Sequence, residues 1–212
     1  MITYELTQQR SNAAKMEWPD RDILEPFLYI CGTPGKDFRG IMLDCFQDWF
    51  QVPPDKFSII KEIIRSLHDA SLLIDDIEDS SVVRRGKPVA HLIYGVAYTI
   101  NSANYVYFLE LQKCLTLGHA SAITLFTTEM LRLHRGQGHD ILWRDRCTCP
   151  TEQDYLNMVS DKTGGLFRLA IGLMEICSSN TSTGNEKLGC GSLLENMAHY
   201  FQIRDDYINL CR

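Results

Sequence analysis

Leu67-His68-Asp69-Ala70-Ser71-Leu72-Leu73-Ile74-Asp75-Asp76-Ile77-Glu78-Asp79, followed after four residues by Arg84-Arg85-Gly86, is the stretch on which the reading of this chain turns. Upstream, Ile60, Ile63, Ile64 and Leu67 recur with Ile74 at helical spacing, so the buried face of one helix leads directly into four carboxylates within five positions. At about 3.6 residues per turn, Asp75 and Asp79 lie one above the other on the same face. On an isolated helix such a pair repels and costs a few tenths of a kcal/mol. A hard cation reverses the sign, because magnesium prefers oxygen ligands, with water and phosphate oxygens completing its octahedron. Taken alone, such a stretch is more often a solvated acidic helix end.

A second acidic pair, Asp205-Asp206, closes another apolar segment, Met197-Ala198-His199-Tyr200-Phe201-Gln202-Ile203-Arg204, and is followed by Asn209. Two aspartate clusters at the ends of two apolar helices can face each other across a bundle and hold a metal-bridged diphosphate between them.

His68 through Arg85, the run Asn101-Ser102-Ala103-Asn104-Tyr105-Val106-Tyr107-Phe108, Lys162-Thr163-Gly164-Gly165, and Phe201-Gln202-Ile203-Arg204-Asp205-Asp206-Tyr207 together resemble the trans-isoprenyl diphosphate synthases, the polyprenyl synthetase family. Within that family they are most similar to the geranylgeranyl-forming synthases of eukaryotes, and the resemblance runs from Ile23 to Asn209. It implies an all-α fold, an isoprenoid-synthase-type helical bundle around a central cavity. Residues 1–19 read as a polar N-terminal arm and residues 20–212 as one helical prenyltransferase domain. The resembled enzymes continue for several helices past the second acidic cluster. The expectation is therefore a domain incomplete at its C-terminus, with those helices missing and apolar faces exposed.

Charge and composition narrow the partners. A net charge of −6 over 212 residues argues against nucleic acid, which wants a basic face. Basic residues are instead local, Lys36 with Arg39 and Arg84 with Arg85, which suits a small anion. No stretch approaches the roughly eighteen apolar residues of a transmembrane helix and no signal peptide is visible, so a cytoplasmic protein with no transmembrane segment is expected. The eight cysteines show no CxxC pair and are expected reduced.

Along the chain, Ile23, Leu24, Phe27, Leu28 and Ile30 mark a first helix that Gly32-Thr33-Pro34-Gly35 ends. Gly35-Lys36-Asp37-Phe38-Arg39 opens the next, with Leu43, Phe46 and Phe50 on its apolar side. Helix-dipole logic places acids at such a start, so two cations there point to a bound phosphate. Pro53-Pro54 begins the helix carrying the first acidic cluster. A long apolar stretch runs from Ala90 to about Leu117 and contains Asn101 and Asn104, read as buried, and Tyr105, Tyr107 and Phe108, read as core aromatics. Ala120 through Trp143 is helical, interrupted at Gly136-Gln137-Gly138 by a close backbone approach or a kink. Asp140 and Asp145 either add to the acidic cavity or are solvated. Thr151-Glu152-Gln153-Asp154 has the form of a capping box and starts a helix holding Lys162-Thr163-Gly164-Gly165 in its middle. Ser178 to Asn185 is a polar loop.

The resemblance also assigns roles. It implies a prenyltransferase that condenses isopentenyl diphosphate with an allylic diphosphate, farnesyl diphosphate or shorter, to geranylgeranyl diphosphate by Mg2+-assisted ionisation. Roughly two or three magnesium ions on Asp75, Asp79 and Asp205 would bridge the allylic diphosphate, and Arg84 would neutralise the remaining charge. Lys162 and Thr163 would hold the allylic substrate and its developing cation, with Gln202 and Asn209 as further substrate contacts. Lys36, Arg39, His68 and Arg85 would hold isopentenyl diphosphate. The catalytic set is Asp75, Asp79, Lys162 and Thr163, with the released diphosphate rather than a protein group as base. Small residues at Ala70 and Ser71, about one turn below Asp75, would let the product grow past the farnesyl length to a floor at Tyr107 or Phe108. A homo-oligomer is expected, or a heteromer with a full-length synthase. The reading from a different class is a catalytically weak or inactive subunit that binds and modulates such a synthase.

Overall fold

The computed structural model describes residues 20–33, 35–179 and 189–211. The arm expected over residues 1–19, Pro34, and the part of the expected loop from Asn180 to Asn185 lie outside them. Among the described residues there are nine helices and a single two-stranded ladder, as an all-α chain requires.

Helix α1, Glu25–Cys31, carries Pro26 in its first turn, where a missing N–H is harmless, and the Gly32 N–H closes it on the Leu28 carbonyl. Helix α2, Phe38–Phe50, buries Met42, Leu43, Phe46 and Phe50. Helix α3, Pro54–Glu78, starts on a proline and sets Asp55 in its first turn, where the helix dipole favours an acid. Its stripe of Ile60, Ile63, Ile64, Leu67, Ala70 and Leu73 is at most 1% exposed. The helix stops at a residue without glycine's freedom. Ser80 is left-handed (φ 51°), its N–H bonds the Ile77 carbonyl, and the Ser81 N–H bonds the Asp76 carbonyl, the paired bonds of a Schellman motif.

Strands β1, Val83–Arg84, and β2, Lys87–Pro88, form a hairpin in which Arg84 faces Lys87. Arg85 and Gly86 make its turn with φ 52° and 78°, the two positive values of a type I′ connection. The long stretch expected from Ala90 is two helices, α4, Ala90–Tyr94, and α5, Val96–Leu115, because Gly95 sits at φ 85° between them. Helix α6 is Ala120–Asp145, α7 Glu152–Lys162, α8 Gly164–Cys177 and α9 Gly191–Leu210.

The chain forms two compact units, with the division falling at the first residue of α2 and inside α3 and α5. The first holds the described residues up to Phe38 together with Arg65–Gln112. Its core joins Leu24, just before α1, and Phe27 and Ile30 of α1 to Ala70 and Leu73 of α3, Ala90 of α4, and Ala103 and Val106 of α5. Each large side chain so buried stabilises by about 1.5–3 kcal/mol. Asn101 and Asn104 are exposed, contrary to expectation, because the buried side of α5 runs through Thr99, Ser102, Ala103, Val106 and Glu110. Phe108 is 69% exposed, whereas Tyr105 and Tyr107 pack on the core.

The second unit holds Arg39–Ile64 and the described residues from Lys113 onward. Helix α8 is buried on nearly every side, as a helix apolar all round must be. Of its two charges Glu175 is exposed, whereas Arg168 bonds Glu129 of α6 at 2.8 Å, and Glu129 is itself 5% exposed. Gly136 and Gly138 do not interrupt α6, which is continuous through both. A Cβ on Gly136 would collide with the Lys162 backbone, so the glycine serves a close crossing of α6 and α7. Lys162-Thr163-Gly164-Gly165 is not mid-helix. Thr163 is the break between α7 and α8, Gly164 makes room for the Arg168 guanidinium, and Gly165 passes the Glu129 carbonyl. Thr151 caps α7 as expected, accepting from the Asp154 N–H at 3.2 Å. On α9, Leu193, Tyr200, Ile203, Tyr207 and Leu210 form an exposed stripe at i, i+7, i+10, i+14 and i+17. All eight cysteines are free thiols, and among the described residues no helix is long and apolar enough to cross a membrane.

Candidate active site

In the first unit the acids gather where α3 ends. The Asp79 N–H bonds the Asp75 carbonyl at 2.9 Å, which confirms one helical turn between the two residues. Asp76, about 100° around the helix from Asp75, turns inward, and its side chain is 3% exposed against 29% for Asp75. Arg84 answers both. Its Nε donates to Asp76 at 2.7 Å and its NH2 to Asp75 at 2.9 Å, so the hairpin folds a cation back onto the acidic end. Asp79 is exposed. Burial pushes the Tyr107 phenol up, and the nearby charges of Glu78 and Asp75 push the same way.

His68, on the same helix, is half-buried, and its carbonyl accepts from the Ser71 hydroxyl at 2.8 Å. Lys36 is exposed in the segment before α2. Arg85 takes a different direction from Arg84 and donates to the Thr33 carbonyl at 2.5 Å. Of the two small residues below Asp75, Ala70 is a core contact and Ser71 is half-buried. Phe108, facing solvent, is no floor within this unit.

In the second unit the polar residues meet where α7 breaks into α8. Lys162 donates to Asp140 of α6 at 2.5 Å, so Asp140 is neither a cap nor an isolated acid, whereas Asp145 is exposed and pairs with its neighbour Arg144. The Thr163 hydroxyl donates to Gln202 of α9 at 2.6 Å. Gln202 in turn donates to Asp206 at 2.9 Å, and Tyr155 donates to the other oxygen of Asp206 at 2.6 Å. Burial, reinforced by that bond to a carboxylate, pushes the Tyr155 phenol up, so it stays a donor. A cavity of about 370 Å³ opens beside these groups, lined by Asp140, Trp143, Arg144, Tyr155, Gln202 and Asp206 among others. Asp205 is 68% exposed, with Arg204 at 3.8 Å, and Asn209 is exposed. Arg39 lies with its guanidinium 5.3 Å from the centre of the Phe167 ring, a cation–π contact.

Both acidic pairs share one arrangement. The first aspartate, Asp75 or Asp205, is the more exposed of its pair, and the second, Asp76 or Asp206, is the more buried and is bonded to protein donors, although Arg84 reaches Asp75 as well. Sequence reasoning named the first members and raised Asp140 for the acidic cavity, but missed the second members as structural anchors, along with Tyr155 and Glu129. The signal available was helical geometry, since adjacent residues cannot share a face.

The chain matches the polyprenyl synthetase family model over residues 20–212. The chain belongs to that family. It is 55% identical over 191 residues to a geranylgeranyl pyrophosphate synthase of Aspergillus fumigatus, covering 90% of this chain and 52% of that protein. It is 54% identical over 188 residues to one of Penicillium canescens, covering 89% and 55%. A geranylgeranyl pyrophosphate synthase of Dictyostelium discoideum is 52% identical over 191 residues, covering 90% and 61%. The chain thus spans a little over half the length of these polyprenyl synthetases.

The donor set suits a hard cation: Asp75 and Asp79 offer carboxylate oxygens one turn apart at an exposed helix end. Among the described residues no three His, Cys, Asp or Glu side chains are arranged to hold a metal ion by themselves. Magnesium ordinarily takes one or two carboxylates and fills its other positions with water and substrate phosphates.

Proposed function

We propose that this chain carries the prenyl-transfer machinery of a geranylgeranyl diphosphate synthase, joining isopentenyl diphosphate to an allylic diphosphate. The observation that carries the reading is the two acidic pairs, in each of which the second aspartate is held by protein donors and the first is the more exposed, with Arg84 also reaching Asp75. Names borne by the relatives of Aspergillus, Penicillium and Dictyostelium support it. In this reading residues 20–212 act as one helical domain.

Asp75, Asp79 and Asp205 would hold magnesium, which when bound supplies Lewis-acid stabilisation of the departing diphosphate. Arg84, already bridging two carboxylates, carries a guanidinium that can bind phosphate oxygens in the same forked geometry. Lys162 and Thr163 hold the allylic substrate, with Gln202 and Asn209 beside them. Lys36, Arg39, His68 and Arg85 hold isopentenyl diphosphate with its double bond toward the allylic carbon, an orientation effect worth several kcal/mol. The allylic C–O bond breaks, the new C–C bond forms, and the proton lost goes to the released diphosphate. Apolar side chains keep water from the cation.

The test is the purified protein with magnesium, farnesyl diphosphate and labelled isopentenyl diphosphate. Labelled geranylgeranyl diphosphate from wild type, and at least a hundredfold less from Asp75→Ala, is expected. Wild-type turnover that survives Asp75→Ala would sink the assignment. A second reading, a subunit that docks on a longer synthase and modulates it, draws on the exposed α9 stripe of Tyr200, Ile203, Tyr207 and Leu210. It expects no turnover by this chain alone and association with the longer enzyme that Asp75→Ala leaves intact.

A further inference from the structure

We infer that Asp69, the Thr33 carbonyl and the side-chain-free gap at Gly35 form a cradle that positions Arg85 to hold the diphosphate of isopentenyl diphosphate. This rests on the prenyl-transfer reading and adds a positioning carboxylate to it.

Three independent observations converge on Arg85. Its backbone is left-handed at φ 52° in a two-residue turn, a place where Asn, Asp or Gly serves the hairpin better. A non-glycine residue held there costs on the order of 1–2 kcal/mol. The hairpin has no need of an arginine at that position, so the side chain is the reason to look for a use.

Its guanidinium is then seated on three sides. NH1 donates to the Thr33 carbonyl at 2.5 Å, and NH2 stands 4.0 Å from Asp69 Oδ1. A Cβ built on Gly35 would lie 2.7 Å from NH2 and 2.8 Å from Cζ, so the guanidinium lies across the one residue that leaves it room. Gly35 directly precedes Lys36, the other cation expected at this diphosphate.

Asp69 itself is otherwise unexplained. Its side chain is 8% exposed on the buried side of α3, next to His68, and the mechanism gives it no task. Cys31 donates a weak S–H bond to Oδ2 at 3.7 Å, which leaves Oδ1 toward Arg85. Burial pushes the Asp69 carboxyl up, while the charges of Arg85 and Arg65 pull the other way. A guanidinium has five N–H donors. With NH1 anchored and NH2 aimed at a fixed carboxylate, the remaining donors point in a defined direction instead of sampling rotamers, and less ordering is left for substrate to impose.

The experiment measures binding of isopentenyl diphosphate by calorimetry to wild type, Arg85→Ala, Asp69→Asn, Gly35→Ala and the double variant Arg85→Ala/Asp69→Asn. Thermal melts check the fold, and farnesyl diphosphate with magnesium serves as the comparison ligand. Gly35→Ala displaces only the far end of a flexible side chain and sits at a backbone conformation alanine accepts, so it remains folded.

Asp69→Asn and Gly35→Ala are each expected to weaken isopentenyl diphosphate binding about tenfold while leaving farnesyl diphosphate within about twofold. Because Asp69 acts through Arg85, the double variant should be no weaker than Arg85→Ala alone. If Arg85→Ala weakens binding and the two cradle variants do not, the cradle is refuted and the prenyl-transfer reading stands. If the Asp69→Asn loss adds in full to that of Arg85→Ala, Asp69 is merely structural and the inference is likewise refuted. If wild type binds no isopentenyl diphosphate, or Arg85→Ala binds it as wild type does, the underlying assignment fails first.

Discussion

Two glycines on one helix, separated by a single residue, should respond to the same substitution with opposite sign. Gly136 and Gly138 both lie inside α6, where replacing glycine with alanine ordinarily stabilises by about 0.5–1 kcal/mol through backbone entropy. At Gly138 nothing lies within 4 Å of the added Cβ, so that gain should appear in full. At Gly136 the methyl would lie 2.8 Å from the Lys162 Cα and 2.9 Å from its Cβ, and closer still to its backbone nitrogen. No rotamer change relieves a clash with backbone, so α6 and α7 must separate, an overpacking cost of about 1–3 kcal/mol that outweighs the propensity gain. In a chain of this size about 1 kcal/mol moves the midpoint by about 2–4 °C. Differential scanning calorimetry should therefore show Gly138→Ala about 1–4 °C above wild type and Gly136→Ala below it. Separating α7 also pulls Lys162 from Asp140, so under the proposed function Gly136→Ala should lose turnover that Gly138→Ala keeps. A Gly136→Ala protein as stable as wild type would refute the backbone-contact explanation.

Arg84→Gln leaves Asp76, 2% exposed, without its cation, and should destabilise by about 2–4 kcal/mol in urea unfolding, whereas Arg84→Lys should recover part of the loss. Tyr155→Phe removes one of the two donors to Asp206 and should cost about 1–2 kcal/mol. Ellman titration of native protein should find Cys45, Cys147, Cys149 and Cys211 fast and the buried Cys114 and Cys177 slow. Burial pushes the Cys114 thiol from 9.0 up to about 11, so between those values the unfolded chain ionises this thiol and the folded one does not. Stability should fall as pH rises through that window, and less steeply in Cys114→Ala.

Much of the fold was legible because its signals are local. Proline in a first turn, Gly32 after Ile30, the Thr151 cap and the isoleucine row of α3 each act within a few residues. The misreadings share a cause as well. Of the two explanations for Gly136 and Gly138, the close backbone approach holds at Gly136 and the expected interruption does not, because the neighbouring Lys162 backbone needs the space while the helix runs on. The buried side of α5 contains Thr99, Ser102 and Glu110, so its polar residues disguised the stripe and pushed the reading onto Asn101 and Asn104. At the site, Asp75 with Asp79 followed from helical spacing. The ties from Arg84 to Asp76, Tyr155 to Asp206 and Lys162 to Asp140 join residues 8, 51 and 22 positions apart, and only the folded chain brings them together.

The hairpin between Val83 and Pro88 has a bearing on which mutations this surface can absorb. Consecutive arginines in it leave in different directions, Arg84 to the end of α3 and Arg85 to Thr33. Inserting or deleting one amino acid there would send both side chains to the wrong address together. An outward-lying connection, ordinarily the place where length drifts most easily, is in this chain tied to a single length.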